Sequence, residues 1–266
     1  MTLDALTLLL KEAGVPDPKT DATLLIRHFC GVSAAALLAD RQREYHSPDL
    51  DEAVAKRLAR TPLQYIIGET AFFGETYRVT PAVLVPRPDT ELLVEEAIAR
   101  LPKGIAFGDL CAGSGCVGIS ILAHRPDLTA TAVDISADAL AIAAENAERN
   151  GVADRLGCMR FDLLAGKHPR LSRLTALVAN PPYILSSVIP TLEKEVKKEP
   201  ALALDGGEDG LLFYRTLLAL YSPDLFLFEI GYDQAEAVSA LGREKGYTPT
   251  VKKDAGGNHR VVILSR

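Results

Sequence analysis

The sequence contains few of the residues that hold metals, form disulfides or anchor a chain in a membrane. Among its 266 residues there is no tryptophan, and the four cysteines (Cys30, Cys111, Cys116 and Cys158) include no CxxC pair. The spacing predicts neither a zinc site nor a disulfide framework, and we expect no metal. No segment reaches the ~18 consecutive apolar residues of a membrane span. The scattered cysteines favour a reducing, cytoplasmic location. The first apolar run has no basic stretch before it and no small-residue cleavage site.

Positive charge is also in short supply. The chain has 29 Lys and Arg residues against 35 Asp and Glu, which gives a formal net charge of −6. General nucleic-acid binders usually carry a basic excess, so this balance disfavours direct contact with nucleic acid and favours a basic protein partner. With 24% charged and 48% hydrophobic residues, the composition is typical of a folded globular protein long enough for two domains.

The first 70 residues contain helical patterns only. Apolar residues recur at helical spacing from Leu3, and glycines follow the first two predicted helices. Ser47 and Thr61, each followed by a proline, are in position to cap further helices. We expect residues 1–70 to form a helical domain, either a structural cap or a docking domain for a partner. Residues 71–84 are predicted to form a β-hairpin linker.

From residue 85 to residue 266, strand patterns alternate with helix patterns and end in a predicted hairpin. Repeated βα units predict a mainly parallel sheet with an antiparallel edge, in a Rossmann-like α/β fold. Thr90 is in position to cap the first helix of this domain. The charged run Lys194–Glu199 is most simply interpreted as a solvated helical face.

A glycine-rich turn follows the first strand of this second domain. The run from Gly113 to Gly118 fits the GxGxxG pattern, and Asp134 follows at the spacing of about 20 residues that a dinucleotide fingerprint requires. A nicotinamide enzyme is therefore one hypothesis. The same geometry suits S-adenosylmethionine, because glycines allow close approach of the backbone and a carboxylate can hold ribose hydroxyls. A P-loop is excluded, since no Gly-Lys-Ser/Thr follows the glycines.

Three further polar residues favour the methyl donor. Asp109 precedes the glycine turn, where its carboxylate can face the ammonium group of S-adenosylmethionine. Asp162 ends the third strand and can accept a hydrogen bond from an adenine amine. Asn180 ends the fourth strand, at the sheet edge where open α/β folds bind ligands. These positions predict methyl transfer.

The sequence Asn180-Pro181-Pro182-Tyr183 is predicted to hold the group that receives the methyl. Two prolines fix φ and lack N–H donors, so the carbonyls of this turn have no local donor. The Asn180 side-chain oxygen and the Pro181 carbonyl can accept both N–H bonds of a planar amide or amine, and Tyr183 offers a flat face. Orienting a nitrogen that is a poor nucleophile would then provide much of the catalysis.

Four segments together resemble one enzyme family. They are Val85–Glu91, Asp109–Gly115, Asn180–Tyr183 and Asp205–Leu211, and they are similar to the peptide chain release factor glutamine methyltransferases, the HemK/PrmC family. The similarity extends over nearly the whole chain. It implies a class I methyltransferase domain with a mainly parallel, seven-stranded sheet and a small all-α N-terminal domain.

The resemblance also implies a reaction. The family transfers a methyl group from S-adenosyl-L-methionine to the side-chain amide nitrogen of the glutamine in the Gly-Gly-Gln loop of release factors, leaving S-adenosyl-L-homocysteine. The implied partner is a class I release factor, and we expect a monomer that uses no metal. Asn180 and Pro181 would be catalytic, with Pro182 and Tyr183 completing the substrate contacts. Together with Asp109, the predicted cofactor contacts are Cys111, Ala112, Gly113, Ser114, Gly115, Asp134, Asp162, Leu163 and Asn180.

Two positions depart from the family pattern. Cys111 stands where the family often has glycine, and a negative φ at this residue would accommodate its side chain. Leu163 stands where many members have tryptophan, which predicts looser packing against adenine. Neither departure removes a hydrogen-bonding group, so we expect an active enzyme.

Some alternatives remain open from the residues alone. A ribosomal-protein glutamine methyltransferase would differ mainly in the helical domain, and a nucleic-acid base amino-methyltransferase would use the same Asn-Pro-Pro-Tyr chemistry. A non-catalytic binding module would be expected to lack Asn180 or the glycine turn. Cys116 is predicted to be a packed small residue. Asp254, His259 and Arg260 are predicted to form a structural polar turn, and Glu229 either anchors a helix or loop or lines the site.

Overall fold

The structure is a computed structural model that describes residues 1–37 and 39–266 in full and only the backbone of residue 38. The chain divides into two compact units. The first contains Met1–Glu69 and the short segment Glu193–Lys198, and the second contains Thr70–Leu192 and Glu199–Arg266. Along the part of the chain described, no helix is both long enough and apolar enough to cross a membrane.

The first unit is built from helices with apolar inner faces. Side chains of Leu6, Leu10, Leu25 and Ile26 are fully buried and pack in one cluster. The helices are α1 (Leu3–Glu12), α2 (Pro18–Cys30), α3 (Ala34–Ala39), α4 (Pro48–Leu58) and α5 (Leu63–Ile67).

Polar side chains begin most of these helices. Ser47 caps α4 as predicted, because its hydroxyl accepts a hydrogen bond from Leu50 N–H. The same prediction for Thr61 is wrong. Pro62 occupies the N-cap position of α5, and no side chain caps that helix. The Thr61 hydroxyl instead accepts a hydrogen bond from Lys198 Nζ over 3.3 Å.

The prediction of a solvated helical face for Lys194–Glu199 is also wrong. Only Val196–Lys198 forms a turn of 3₁₀ helix. Glu195 is buried and accepts hydrogen bonds from the guanidinium groups of Arg57 (2.9 Å) and Arg60 (2.6 Å). Arg57 also donates to the buried Asp21 carboxylate over 2.6 Å. A run of alternating charges thus contributes a carboxylate to a buried ion cluster.

After the hairpin of β1 (Glu69–Phe72) and β2 (Glu75–Arg78), strands and helices alternate as predicted. The elements that follow are α6 (Glu91–Arg100), β3 (Ala106–Leu110), α7 (Cys116–His124), β4 (Thr129–Asp134), α8 (Ala137–Arg149), β5 (Leu156–Arg160), β6 (Ala176–Ala179), α9 (Leu212–Leu220), β7 (Leu225–Glu229), α10 (Ala235–Glu244), β8 (Thr248–Lys253) and β9 (His259–Ser265).

Among the described residues, seven of these strands form one sheet in the order β5-β4-β3-β6-β7-β9-β8. Neighbours from β5 to β7 pair in parallel, whereas β9 pairs antiparallel with both β7 and β8. The predicted mainly parallel sheet with an antiparallel edge is therefore confirmed, and its order is that of a class I methyltransferase fold.

Both faces of the sheet are buried. Alternate residues of β6 belong to two different apolar clusters: Ala176 and Val178 to one, Leu177 and Ala179 to the other. Since successive strand residues point to opposite faces, the clusters cover the two sides of the sheet. This double burial explains why β6 contains no polar residue.

The chain reverses its direction across the sheet between β3 and β6. From β3 the connections run outward to β4 and β5, and the next strand returns to pair with the other side of β3. Open α/β sheets bind ligands at the carboxyl ends of strands beside such a reversal. Cys111 follows β3 and Asn180 follows β6, so the two predicted motifs meet at this point.

Candidate functional site

A cavity of about 250 Å³ lies at the carboxyl ends of β3, β4, β5 and β6. It brings together most of the predicted site residues, although they come from four separate loops. In the described part of the chain, Gly115, Pro181 and Tyr183 are not in its wall. The predicted residues that line it are Asp109, Cys111, Ala112, Gly113, Ser114, Asp134, Asp162, Leu163, Asn180 and Pro182.

The glycine turn forms one wall of this cavity. Gly113 (φ 53°) and Gly115 (φ 78°) both adopt left-handed backbone conformations. A Cβ on Gly115 would lie 2.9 Å from the Ile119 side chain, so the turn needs glycine there for space as well as conformation. Beneath the turn, the buried Asn146 side chain donates to the Ser114 carbonyl over 2.9 Å. The sequence thus predicts the turn, and α8 fixes it.

Cys111 does not adopt the expected negative φ. Its φ is +57°, in the left-handed region that favours glycine. The next residue is tied to the neighbouring strand, since Ala112 N–H donates to the Val133 carbonyl over 3.0 Å. Burial raises the pKa of the Cys111 thiol well above its usual range, which disfavours the thiolate that a nucleophile requires.

Two carboxylates at strand ends are held by backbone donors. Asp134 ends β4 and accepts hydrogen bonds from Gly113 N–H and Ser136 N–H, both at 2.9 Å. Asp162 follows β5 and accepts a hydrogen bond from Leu164 N–H at 2.8 Å. Each carboxylate oxygen can accept more than one hydrogen bond, so both residues can also receive donors from a ligand.

Asp109 is a third carboxylate, placed deeper in the site. It is almost fully buried on β3, and its Oδ2 accepts a hydrogen bond from Gly118 N–H in α7 over 2.9 Å. Burial raises its pKa to about 7, with a smaller contribution from nearby Asp134, although the Gly118 bond opposes the shift. Burial therefore favours the neutral form of this carboxyl group, and a ligand cation beside it would favour the charged form.

The polar lining suits a cationic ligand rich in hydrogen-bond donors. Within the described wall of the cavity, the only basic side chain is Arg87, which forms an ion pair with Glu199. Glu199 also accepts a hydrogen bond from Val85 N–H over 3.0 Å. A pyrophosphate would meet carboxylates and no unpaired cation, so the wall disfavours a dinucleotide.

Asn180 is oriented by a residue that sequence reasoning assigned to another role. Its side-chain Nδ2 donates to the Thr90 hydroxyl over 3.3 Å. Thr90 stands at the start of α6, but its side chain makes no capping hydrogen bond, so the prediction of a helix cap is wrong. Because the nitrogen is held by Thr90, the oxygen of the Asn180 amide is the group available as an acceptor.

Tyr183 is held at both ends. Gln234 Nε2 donates to its backbone carbonyl over 3.0 Å, and its own hydroxyl lies 3.4 Å from Glu229 Oε1. Glu229 is fully buried at the end of β7 and is not part of the described cavity wall. Of the two roles left open for Glu229, the structure shows the anchoring of a loop.

The segment Asp205–Gly210 packs directly against the Asn-Pro-Pro-Tyr turn. Gly206 N–H donates to the Ile184 carbonyl over 2.8 Å, and Ile184 N–H donates to the Leu204 carbonyl over 3.0 Å. A Cβ on Gly206 would lie 2.6 Å from Tyr183 Cα. The repeated glycines of this segment were the available sequence signal of a close backbone approach.

Two further predictions concern residues near the site. Arg260 donates to Asp254 at 3.1 Å and forms an ion pair with Asp89 at 3.1 Å, which confirms a structural polar turn. Cys116 is buried, and burial raises its pKa to about 12. It is therefore a packed residue, as predicted.

Profiles of two protein families match the chain. The family described as "PrmC N-terminal domain" matches residues 2–68, and the family described as "Methyltransferase small domain" matches residues 88–202. The first match falls on the helices of the first unit. The second includes the glycine turn and Asn180–Tyr183.

Named relatives cover nearly the whole chain. A release factor glutamine methyltransferase of Caulobacter vibrioides is 39% identical over 96% of this chain and 91% of its own length. One of Moorella thermoacetica is 40% identical, over 97% and 94%. Among solved structures, the E. cuniculi Mtq2-Trm112 complex has a TM-score of 0.50 at 17% identity, covering 70% of this chain and 99% of that one. This last similarity concerns the fold.

Proposed function

Because the chain belongs to the release factor glutamine methyltransferase family, we propose that it methylates the glutamine of the Gly-Gly-Gln loop in peptide chain release factors. The methyl group goes from S-adenosyl-L-methionine to the side-chain amide nitrogen. The observation that carries this proposal is the orientation of Asn180, whose Nδ2 is committed to Thr90 so that Oδ1 is the acceptor beside the cavity. The reaction belongs in the cytoplasm, where translation ends.

The acidic cavity supports the choice of cofactor. When bound, S-adenosylmethionine supplies a methyl group activated by attachment to a positively charged sulfur. We assign its amino-acid part to the glycine turn from Cys111 to Gly115 with Asp109 beneath it. Asp134 is assigned to the ribose hydroxyls, and Asp162 with Leu163 to the adenine. Three carboxylates without a free basic partner in the described wall suit this ligand better than a pyrophosphate.

The Asn-Pro-Pro-Tyr turn is assigned to the substrate. The Asn180 Oδ1 and the Pro181 carbonyl each accept one N–H of the glutamine amide, and the Tyr183 ring packs on the amide plane. Holding both hydrogens fixes the direction of the nitrogen lone pair, which is otherwise delocalised into the carbonyl. A strong base is not needed, because the surplus proton of the methylated nitrogen is acidic enough to pass to water.

Transfer of radiolabelled methyl to full-length release factor tests this function. The matched substrate is the same factor with Gln→Ala in its Gly-Gly-Gln loop, and ribosomal proteins and nucleic acids are offered in parallel reactions. We expect label on the unaltered factor only. Label on ribosomal protein or nucleic acid alone would contradict the assigned substrate while leaving methyl transfer intact.

The Asn180→Ala variant tests the assigned acceptor. Its expected loss is about 2–4 kcal/mol of transition-state stabilisation, the size found when a single polar contact to a reacting group is removed. Cofactor affinity is measured at the same time by titration with S-adenosylhomocysteine. Normal turnover by this variant would contradict the role of Asn180.

A further inference from the structure

Glu229 is a buried carboxyl group whose place in the structure is not explained by stability. It ends β7, is 2% exposed, and has one oxygen, Oε2, without a hydrogen-bond partner among the described residues. Burying a carboxyl oxygen without a partner costs free energy. Such a group in a folded protein calls for a functional explanation.

The surroundings of Glu229 are mixed in charge. Burial raises its pKa to about 7, although the Thr90 hydroxyl, the Arg260 guanidinium and the Tyr183 hydroxyl act in the opposite direction. Asp89, a second acidic neighbour, adds to the increase. The Thr90 hydroxyl lowers this pKa as a hydrogen-bonding neighbour of the carboxyl group, whereas Oε2 has no partner at the distance and angle of a full hydrogen bond. Arg260 is itself engaged by Asp254 and Asp89.

The other oxygen of Glu229 faces the substrate-binding turn. The Tyr183 hydroxyl donates to Oε1 over 3.4 Å, longer than the usual O–H···O distance of about 2.5–3.0 Å. Hydrogen bonds in unliganded sites are often long and shorten when substrate binds. The bond is half-shielded from water, since Tyr183 is only partly exposed.

The backbone and the ring of Tyr183 are held by different partners. Gln234 and the close packing of Gly206 fix the backbone of Tyr183. Glu229 contacts the far end of the ring, at the hydroxyl. A hydrogen bond at that end fixes the direction in which the ring extends from the backbone, the χ1 angle, which backbone contacts alone leave free.

We propose that Glu229 is a positioning residue for methyl transfer: by accepting the Tyr183 hydroxyl hydrogen bond, it holds the ring in the rotamer that places it beside the substrate amide. Its effect on the reaction passes through Tyr183, and Glu229 itself touches neither substrate nor cofactor. The proposal rests on the proposed function. This role also explains why Oε2 has no partner: the carboxyl group orients Tyr183 through Oε1, and burying Oε2 lowers the stability of the protein.

Four variants test this role by steady-state methylation of release factor: Glu229→Leu, Glu229→Gln, Tyr183→Phe, and Tyr183→Phe combined with Glu229→Leu. The control is Tyr247→Phe, which deletes another buried tyrosine hydroxyl, one that donates to the Pro223 carbonyl over 2.7 Å. For each variant kcat, KM for the release factor, affinity for S-adenosylhomocysteine and Tm are measured.

We expect Tyr183→Phe and Glu229→Leu each to lower kcat by about tenfold to a hundredfold, as misaligned reacting groups do. The double variant should be no slower than the slower single variant, because both changes remove one bond. Glu229→Gln should restore most of the activity, since its amide oxygen can accept the same hydrogen bond. Cofactor affinity should not change, and Tm of Glu229→Leu should equal or exceed that of the wild type.

Unchanged kcat in Tyr183→Phe, or a double variant whose loss is the product of the two single losses, would overturn the proposal. If Glu229→Leu does not fold, Tyr183→Phe and Glu229→Gln still decide the question. Tyr247→Phe should lower Tm and leave kcat unchanged; a loss of kcat equal to that of Tyr183→Phe would attribute the effect to general destabilisation. A wild-type enzyme that labels no release factor contradicts the proposed function instead, before any variant is compared.

Discussion

The side-chain nitrogen of Asn180 donates a hydrogen bond to the hydroxyl of Thr90 across 3.3 Å, joining the end of β6 to the beginning of α6. Thr90 is 1% exposed, so water does not compete strongly for this bond. The contact distinguishes the two ends of an amide that is nearly symmetric in shape. If the Asn180 amide were rotated by 180°, its NH2 group would face the N–H donors of the substrate and could not accept a hydrogen bond from them.

Replacing Thr90 with valine keeps the shape of the side chain and removes the hydroxyl. We expect kcat to fall about tenfold, roughly 1.4 kcal/mol, because the Asn180 amide loses the partner that sets its orientation. Steady-state kinetics with release factor measures the effect, and affinity for S-adenosylhomocysteine should stay within about twofold. Thr216→Val, in the half-buried part of α9, is the control. Equal kcat in both variants would show that Thr90 does not orient Asn180.

Position 206 requires glycine because the backbone of Tyr183 lies too close for any side chain there. A Cβ at this position would lie 2.6 Å from Tyr183 Cα, so Gly206→Ala must displace the backbone of the Asn-Pro-Pro-Tyr turn. Overpacking of this kind costs about 1–3 kcal/mol, and we expect lower Tm together with a loss of kcat. Gly157→Ala in β5 is the matched control, because its Cβ would meet nothing closer than 3.4 Å. A Gly206→Ala enzyme with wild-type kcat would contradict this reading of the motif.

The parts of the fold that sequence could predict are those with local signals. Continuous apolar runs marked the buried strands, and the run before Asn180 is strand β6 (Ala176–Ala179). The glycine turn was predictable because GxGxxG after a strand indicates a turn with positive φ angles, which residues other than glycine rarely adopt. Even there, the positive φ of Cys111 was missed, since a cysteine in the left-handed region has no sequence signature.

The contacts that orient the site could not be predicted in the same way. Thr90 and Asn180 are 90 residues apart, and Tyr183 and Glu229 are 46 apart. No periodicity relates such pairs; only the strand order brings them together. The charge run containing Glu195 is locally identical to a solvated helix face, and its partner Arg57 lies 138 residues away. Local patterns therefore predict elements, whereas these side-chain pairings depend on topology.

Cys111 offers a way to relieve strain in the cofactor-binding turn. With φ at +57°, a non-glycine residue destabilises the folded protein by about 1–2 kcal/mol. Glycine removes this strain but raises the conformational entropy of the unfolded chain, which offsets part of the gain. We expect Cys111→Gly to raise the free energy of unfolding by about 0.5–1 kcal/mol in urea titrations. Cys158→Ala, on strand β5, is the control for loss of a thiol. A less stable Cys111→Gly variant would show that the side chain packs well enough to offset its backbone strain.

The buried ion cluster of the first unit should be sensitive to loss of its cation. Arg57 is 4% exposed and donates to both Asp21 and Glu195, so Arg57→Met leaves the buried Asp21 carboxylate without its cation, whereas Glu195 keeps Arg60. Breaking a buried pair in this way costs about 3–5 kcal/mol. Hydrogen exchange of residues 3–67 is the measurement, since it reports the helices of this unit directly.

The matched control is Arg41→Met, which breaks an exposed ion pair with Asp4. An exposed pair of this kind contributes about 0–1 kcal/mol. Exchange rates that rise equally in Arg57→Met and Arg41→Met would contradict a stabilising role for the buried cluster.

Glu229 and Asp109 should make the protein less stable as pH rises. Burial raises the pKa of Glu229 from 4.5 to about 7 and that of Asp109 from 3.8 to about 7. Between those values the unfolded chain ionises and the folded chain does not. A raised folded pKa therefore gives stability that is complete below the unfolded pKa and is lost as pH rises through the folded one.

Glu229→Gln removes one of these two ionisations. Relative to this variant, the wild type should lose free energy of unfolding on the order of 3 kcal/mol between about pH 4.5 and pH 7, because one pKa unit corresponds to about 1.4 kcal/mol. Urea titrations at half-unit pH intervals measure the difference. Glu52→Gln is the control, because the hydrogen bond from Lys56 lowers the pKa of exposed Glu52. The contribution of Glu52 to the free energy of unfolding should therefore fall as pH decreases, opposite to that of Glu229. Parallel pH profiles for the wild type and Glu229→Gln would show that Glu229 ionises in the folded protein at its ordinary pKa.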